Sequence, residues 1–180
     1  QRVAESVKRQ LGLAGLKIAW VQVAPGNRMA KLAGGKIDLE CGSTTNTLSR
    51  QEQVEFSLLT FADGGSLLMK SGAAMAGLAD MGGRKIGVVP GTTTERTLQA
   101  ALARSNVKAE AVKLKDHAEG LVAVVEGRVD AYASDRVILV GLVLGSGHGK
   151  DLRLSEDLYS YEPYALMMRK DDSAFRLAVN

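Results

Sequence analysis

One cysteine, Cys41, is all the chain contains, so no internal disulfide can form, a composition that suits cytoplasm and periplasm equally. Aromatic residues reach only 4%, which leaves the core to Val, Leu, Ile, Ala and Met. No apolar run approaches the roughly 20 residues that span a bilayer; the longest, Val137–Leu144, is interrupted by Gly141. Lys and Arg never run beyond two in a row, and no alternation of aromatic and basic residues reads RNA, which argues against nucleic acid as a partner. His117 and His148 lie far apart and, with one cysteine, make no recognisable metal set. Neither a Walker phosphate loop nor a Gly-x-Ser-x-Gly elbow is present, so a nucleotide phosphate site and a hydrolase nucleophile are not indicated. The chain opens at Gln1 without Met or a secretory signal, which reads as a processed or truncated chain whose signal peptide has been removed.

What is there is the material of a packed α/β protein. Hydrophobic residues make up 46% of the 180, and 23 basic and 20 acidic residues are interspersed to a net +3. That mild positive balance favours small anions. Twenty glycines, where about 7% is usual, fall largely at predicted helix ends and strand-to-helix turns. Val3, Ala4, Val7 and Leu11 predict an amphipathic opening helix ended by Gly12. Leu16–Val23 alternates like a strand, 27–32 reads as helix, Ile37–Cys41 as a buried strand and 54–57 as extended. Beyond Ser66 the pattern predicts strands at 67–70, 85–89, 107–114, 131–134 and 164–169. Helices are predicted at 78–83, 93–104, 118–126 and 136–144, with another starting at Asp172. Strands alternating with helices of about 10 residues imply parallel strands joined by crossovers. Seams are expected at 60–66, where two glycines interrupt the pattern, and at 161–164.

Two stretches carry chemistry. In Asp38–Arg50 a buried strand delivers a glycine and then hydroxyl residues at its carboxyl end, with Arg50 a turn later. Ligands gather at such strand ends, and amides, hydroxyls and a planar guanidinium are suited to a carboxylate. The same residues also fit a plain helix start capped by Thr47 or Ser49. In Val88–Glu95 the order is again strand, Gly, hydroxyls, helix. Thr92 and Glu95 fit a capping box there, while the helix amino end is also favourable to an anion. His117, at a strand-to-helix junction, is a capping or surface residue or a site residue. Asp135, ending a strand, either lines a cleft or caps the next helix.

The stretches Gly26–Ser57, Gly83–Gln99, Lys115–Asp135 and Tyr164–Asp172, in this order, resemble the solute-binding proteins of bacterial ABC transporters for polar amino acids, in particular the glutamate/aspartate-binding branch. Within them ECGSTTNT with Arg50 and VEFS is the most specific part, and Lys115-Asp116-His117 adds to the acidic-ligand assignment. The resemblance implies a two-lobed α/β periplasmic-binding-protein fold with two hinge strands and one amino acid trapped between the lobes. Residues 1–62 and 164–180 would form the first lobe, 66–161 the second, with hinges near 60–66 and 161–164. It implies that Arg50 pairs with the ligand α-carboxylate, helped by Ser43 and Thr45, that Thr93 adds a donor, and that Asp135 accepts the α-ammonium. Arg28 and His117 would meet the side-chain carboxylate. The protein would be periplasmic and non-enzymatic, need no cofactor or metal, and pass its ligand to the membrane subunits of the transporter.

Two departures from the family pattern stand out. Pro25 occupies a position, three before the Gly-Asn-Arg arginine, where branch members carry a hydroxyl. Family members also start with a strand and turn ahead of Val3 and continue beyond Asn180, so the first lobe is expected to be incomplete at both chain ends. The rival readings are a dehydratase for a prephenate-like acid on the same fold, and the sensory ligand-binding domain of a longer receptor.

Overall fold

A computed structural model describes residues 2–180. The chain divides into two units, one formed by the residues up to Phe61 together with Pro163–Asn180, the other by Ala62–Glu162. In the first unit, helix α1 (Arg2–Gln10) turns Val7 inward and lies against α7 (Ser173–Val179). Glu5 in its first turn and Lys8 and Arg9 in its last complement the helix dipole. Gly12, at φ +64°, turns the chain away. The strand expected at Leu16–Val23 does not form. Residues 16–24 have no regular structure, and Trp20 and Val21 stand in solvent. Alternation alone cannot make a strand where no neighbouring strand takes its backbone N–H and C=O groups.

Helix α2 (Arg28–Ala33) leads to β1 (Leu39–Glu40), and α3 (Leu48–Gln51) follows it. A three-stranded sheet has the order β1-β8-β2, with β2 at Glu55–Asp63 and β8 at Glu162–Met168. Strand β8 pairs antiparallel with β1, Leu39 opposite Met168 and Glu40 opposite Met167. The chain beyond β1 stays beside β8. Ala165 N–H donates to the Thr44 carbonyl at 3.1 Å, Asn46 N–H to the Pro163 carbonyl at 2.7 Å, and Thr45 forms a bridge with Tyr164. Beneath lies a core of Leu32, Val54, Phe56, Ala165 and Met167. The chain passes between the units twice, within β2 and within β8. Strand β2 therefore extends well past the short 54–57 segment that the sequence pattern marks.

The second unit is a five-stranded sheet of order β5-β4-β6-β3-β7. Its strands are β3 (Gly65–Lys70), β4 (Lys85–Val88), β5 (Glu110–Lys113), β6 (Ala131–Asp135) and β7 (Leu152–Leu154). The sheet is mixed rather than wholly parallel. β4 pairs parallel with β5 and β6, whereas β3 pairs antiparallel with β6 and β7. Side chains alternate across it as the pleat requires. Leu67, Met69, Ala131 and Ala133 join Leu98 and Leu102 of α4 (Thr93–Arg104) on one face. Leu68 and Tyr132 join Ala123 and Val124 of α5 (His117–Glu126) and Leu139 of α6 (Arg136–Ser146) on the other. Because β4, β5 and β6 are mutually parallel, Thr93, His117 and Asp135 all emerge at the carboxyl edge of the sheet, the edge at which α/β proteins bind ligands. Gly65, opposite Asp135 in the register, begins β3 at that same edge.

Candidate functional site

In the first unit the site residues gather where β1 ends. Arg28 opens α2 and is buried, its Nη1 3.4 Å from the Ser43 carbonyl and 3.9 Å from Glu40 Oε1. Glu40, also buried, accepts the Thr44 hydroxyl on Oε2 at 2.8 Å. Gly42 leaves room for the Glu40 carboxylate, since a Cβ there would stand 2.3 Å from Oε1 and push it aside. Arg50 sits in α3, which Thr47 caps by accepting the Arg50 N–H at 3.3 Å. Its guanidinium is buried and donates to the Thr45 carbonyl at 2.8 Å. The helix-cap reading and the ligand reading of this stretch are thus compatible, because Thr47 caps while Arg50 turns inward. Ser43 is half-buried and Thr45 buried in the segment between. The arrangement holds two guanidiniums at fixed positions with carbonyl partners, the geometry in which planar donors are presented to a carboxylate.

In the second unit, Thr92 caps α4, its hydroxyl accepting the Glu95 N–H at 3.2 Å. Glu95 reaches back to the Gly91 N–H at 3.1 Å, one residue earlier than a strict capping box requires. With Thr92 occupied by the cap, Thr93 and Thr94 turn inward. Thr93 Oγ1 lies 2.7 Å from Glu162 Oε2, and Thr94 Oγ1 lies 2.8 Å from Asp135 Oδ1. Asp135 stands at the amino end of α6, yet its side chain makes no cap hydrogen bond. Asp63 takes that role by accepting the Val137 N–H at 2.8 Å. Asp116, not His117, caps α5. His117 Nδ1 is 2.7 Å from the Tyr132 hydroxyl and 3.5 Å from Ser134 Oγ. Burial pushes the Tyr132 phenol up; a hydrogen bond with Ser134 opposes this, and Asp135 and Asp116 add to it. At neutral pH the phenol is therefore a proton carrier that can donate to the imidazole. Gly120 makes room for that ring, since a Cβ there would lie 2.5 Å from Tyr132 Cζ.

Some of these groups escape the sequence pattern. Glu40, Thr44, Thr94, Tyr132, Ser160 and Glu162 all belong to the buried polar clusters. Two of them carried a readable signal: an acid inside the apolar stretch 37–41, and an acid beside Pro163 at the start of the apolar strand β8. His148 lies exposed, next to Asp151 at 3.4 Å. Among the described residues no cluster of three or more His, Cys, Asp or Glu could hold a metal, and no helix is long and apolar enough to cross a membrane.

Two α/β units, a sheet edge lined with hydroxyls and carboxylates in one and buried arginines in the other, define a class of small-molecule-binding proteins. The particular family is settled by its match over residues 2–180: the chain belongs to the bacterial extracellular solute-binding proteins, family 3. It is 35% identical over 179 residues to an L-glutamate/L-aspartate-binding protein of Pseudomonas aeruginosa, covering 99% of this chain and 59% of that protein. It is 30% identical over 174 residues to a glutamate/aspartate import solute-binding protein of Escherichia coli, covering 97% of this chain and 58% of that one. The chain thus spans about three-fifths of the length of these curated relatives. The structure of an ancestral arginine-binding protein bound to glutamine superposes with a TM-score of 0.85 at 26% identity, covering 99% of this chain and 76% of that one.

Proposed function

We propose that the chain binds an acidic amino acid, glutamate or aspartate, as the periplasmic capture component of an ABC importer, and passes it to the membrane subunits without transforming it. The observation that carries this reading is the placement of three buried charged side chains, Arg28, Arg50 and Asp135. Arg28 and Arg50 are buried cations in one unit, and Asp135 is a buried anion at the strand ends of the other. A dicarboxylic amino acid has two carboxylates and one ammonium, the reverse of Arg28, Arg50 and Asp135; the buried acids Glu40 and Glu162 are met by hydroxyl protons of the protein, Thr44 on Glu40 and Thr93 and Ser160 on Glu162. Arg50, with Ser43 and Thr45, takes the α-carboxylate, Asp135 takes the α-ammonium, and Arg28 and His117 take the side-chain carboxylate. Residues 1–62 with 164–180 and residues 66–161 act as the two lobes, with the seams at 60–66 and 161–164 as hinges. The names of the relatives from Pseudomonas aeruginosa and Escherichia coli support the choice of ligand.

Titration calorimetry tests this. Glutamate and aspartate should bind one to one. Removing one partner of a buried charged pair costs about 2–5 kcal/mol, so Arg50→Ala should weaken binding by about 30-fold or more. Arg28→Ala should cost glutamate more than it costs glutamine, whose side chain bears no charge. Binding of arginine in preference to both acids would overturn the ligand assignment.

A further inference from the structure

We infer that Glu162 is a positioning residue for Thr93, taking the proton of the Thr93 hydroxyl so that this hydroxyl faces the ligand as an acceptor for its ammonium group. The inference rests on the amino-acid-binding reading above and assigns a polarity within that site.

The direction of the hydrogen bonds follows from what each group can do. The Gly65 N–H can only donate, and it lies 3.0 Å from Ser160 Oγ. The Ser160 hydroxyl therefore accepts from Gly65 and gives its own proton to Glu162 Oε1, 2.7 Å away. The Thr93 hydroxyl stands 2.7 Å from the other oxygen, Oε2. A carboxylate only accepts, and a hydroxyl has one proton and two lone pairs. Both oxygens of Glu162 are thus met by hydroxyl protons, and toward any further group the Thr93 oxygen can only accept. Glu162 is fully buried, and such charge-assisted bonds are about twice as strong as neutral ones. The polarity of Thr93 is therefore set by the protein rather than chosen by a ligand.

One residue further on, the Thr94 hydroxyl donates to Asp135 Oδ1 at 2.8 Å. Adjacent threonines at the start of α4 thus give their protons to two different buried carboxylates. The donor role that family resemblance suggests for Thr93 falls to its main-chain N–H, while its hydroxyl joins Asp135 as an acceptor for a cation. No pairing of this kind is readable from the sequence, because Glu162 lies 69 residues from Thr93.

The test measures L-glutamate binding to the full chain by calorimetry, with glutarate, the same diacid without its amine, as the second probe. Glu162→Gln leaves one accepting oxygen where the carboxylate has two, so the Thr93 and Ser160 hydroxyls can no longer each give a proton to its own oxygen and the polarity of Thr93 is no longer fixed. Glu162→Gln should weaken glutamate by about tenfold or more and leave glutarate within about threefold. Thr93→Val should weaken glutamate comparably, Thr93→Ser should bind like the parent, and the double variant Glu162→Gln/Thr93→Val should be no worse than the weaker single variant. Equal losses for glutamate and glutarate, or additive losses in the double variant, would show a merely structural Glu162 and overturn the inference. If Glu162→Gln does not fold, Thr93→Val decides, since parental glutamate affinity in that variant also overturns it. A parent chain that binds no acidic amino acid sinks the proposed function instead. A parent that binds glutamate through Arg50 while ignoring both substitutions sinks only this inference.

Discussion

Tyr159 shows how a single side chain can sit in a core at a cost. Its hydroxyl is buried and has no hydrogen-bond partner among the described residues. Burial pushes the phenol well above its ordinary range, and Asp135, Glu162 and Tyr132 push further in the same direction. An unsatisfied buried polar group costs about 1–3 kcal/mol, so Tyr159→Phe should be stabilising by about 1 kcal/mol at neutral pH in urea unfolding. The sign of the pH dependence follows from the raised pKa. In the unfolded chain the phenol ionises near pH 10, while in the folded protein it stays protonated above that. Stability linked to this group is complete below about pH 10 and falls as pH rises beyond it, at about 1.4 kcal/mol per unit for each such phenol. Tyr132 adds a second contribution of the same sign. Unfolding midpoints from pH 8 to 11 should drop more steeply for the parent than for Tyr159→Phe; equal slopes would show that this phenol is not displaced. At this scale the sequence is a partial guide. Arg50 and Thr45 stand in a pattern, hydroxyls and an arginine after a buried strand, that also fits a plain helix start, so the role given to them comes from the family resemblance and not from spacing. Glu40 and Glu162 are marked by the apolar stretches they interrupt, but what each does is not legible until its buried partners are known.

At the scale of elements, the helices of the second unit were legible from their ends. Thr92 before α4 and Gly127 after α5, at φ +74°, mark boundaries with local chemistry, whereas the cap of α5 falls to Asp116, one residue before the His117 that the sequence offers. Strands were legible only where pairing was already secured. Leu16–Val23 alternates but finds no neighbour, whereas Leu152–Leu154 is too short to show a period yet pairs with β3 from Leu68 to Lys70. A strand is defined by its partner, and partner information is not local. The mixed direction of the second sheet has the same origin, since helix and strand alternation does not reveal that β3 runs against β6. One helix–strand contact is exacting. The ring of Tyr132 on β6 lies against Gly120 of α5, which leaves no space for a methyl group. Gly120→Ala should therefore cost about 1–3 kcal/mol by overpacking, outweighing the helix propensity that alanine normally adds, and should loosen the bond from Tyr132 to His117. Denaturant midpoints and the His117 imidazole NMR shifts check both; an alanine variant as stable as the parent would mean the ring moves aside freely.

On the scale of the whole molecule, the two units differ in how the chain builds them. The first draws on two distant stretches, while the second is one uninterrupted run from Ala62 to Glu162. Its beginning and end are fastened side by side: Gly65 N–H bonds Ser160 Oγ at 3.0 Å, and Tyr159 N–H bonds the Gly65 carbonyl at 2.9 Å. It also owns two core clusters, one on each face of its sheet. The unit is therefore a cassette, inserted into its host through adjoining ends. Residues 62–162 produced alone should unfold in one cooperative transition with the near-ultraviolet signature of packed tyrosines; a broad, featureless melt would show that the unit depends on the rest of the chain. Adjacent ends carry a further consequence: joined by a short linker and reopened in an exposed turn such as 147–150, the same cassette should tolerate circular permutation, and it offers a natural place for exchange between homologous chains.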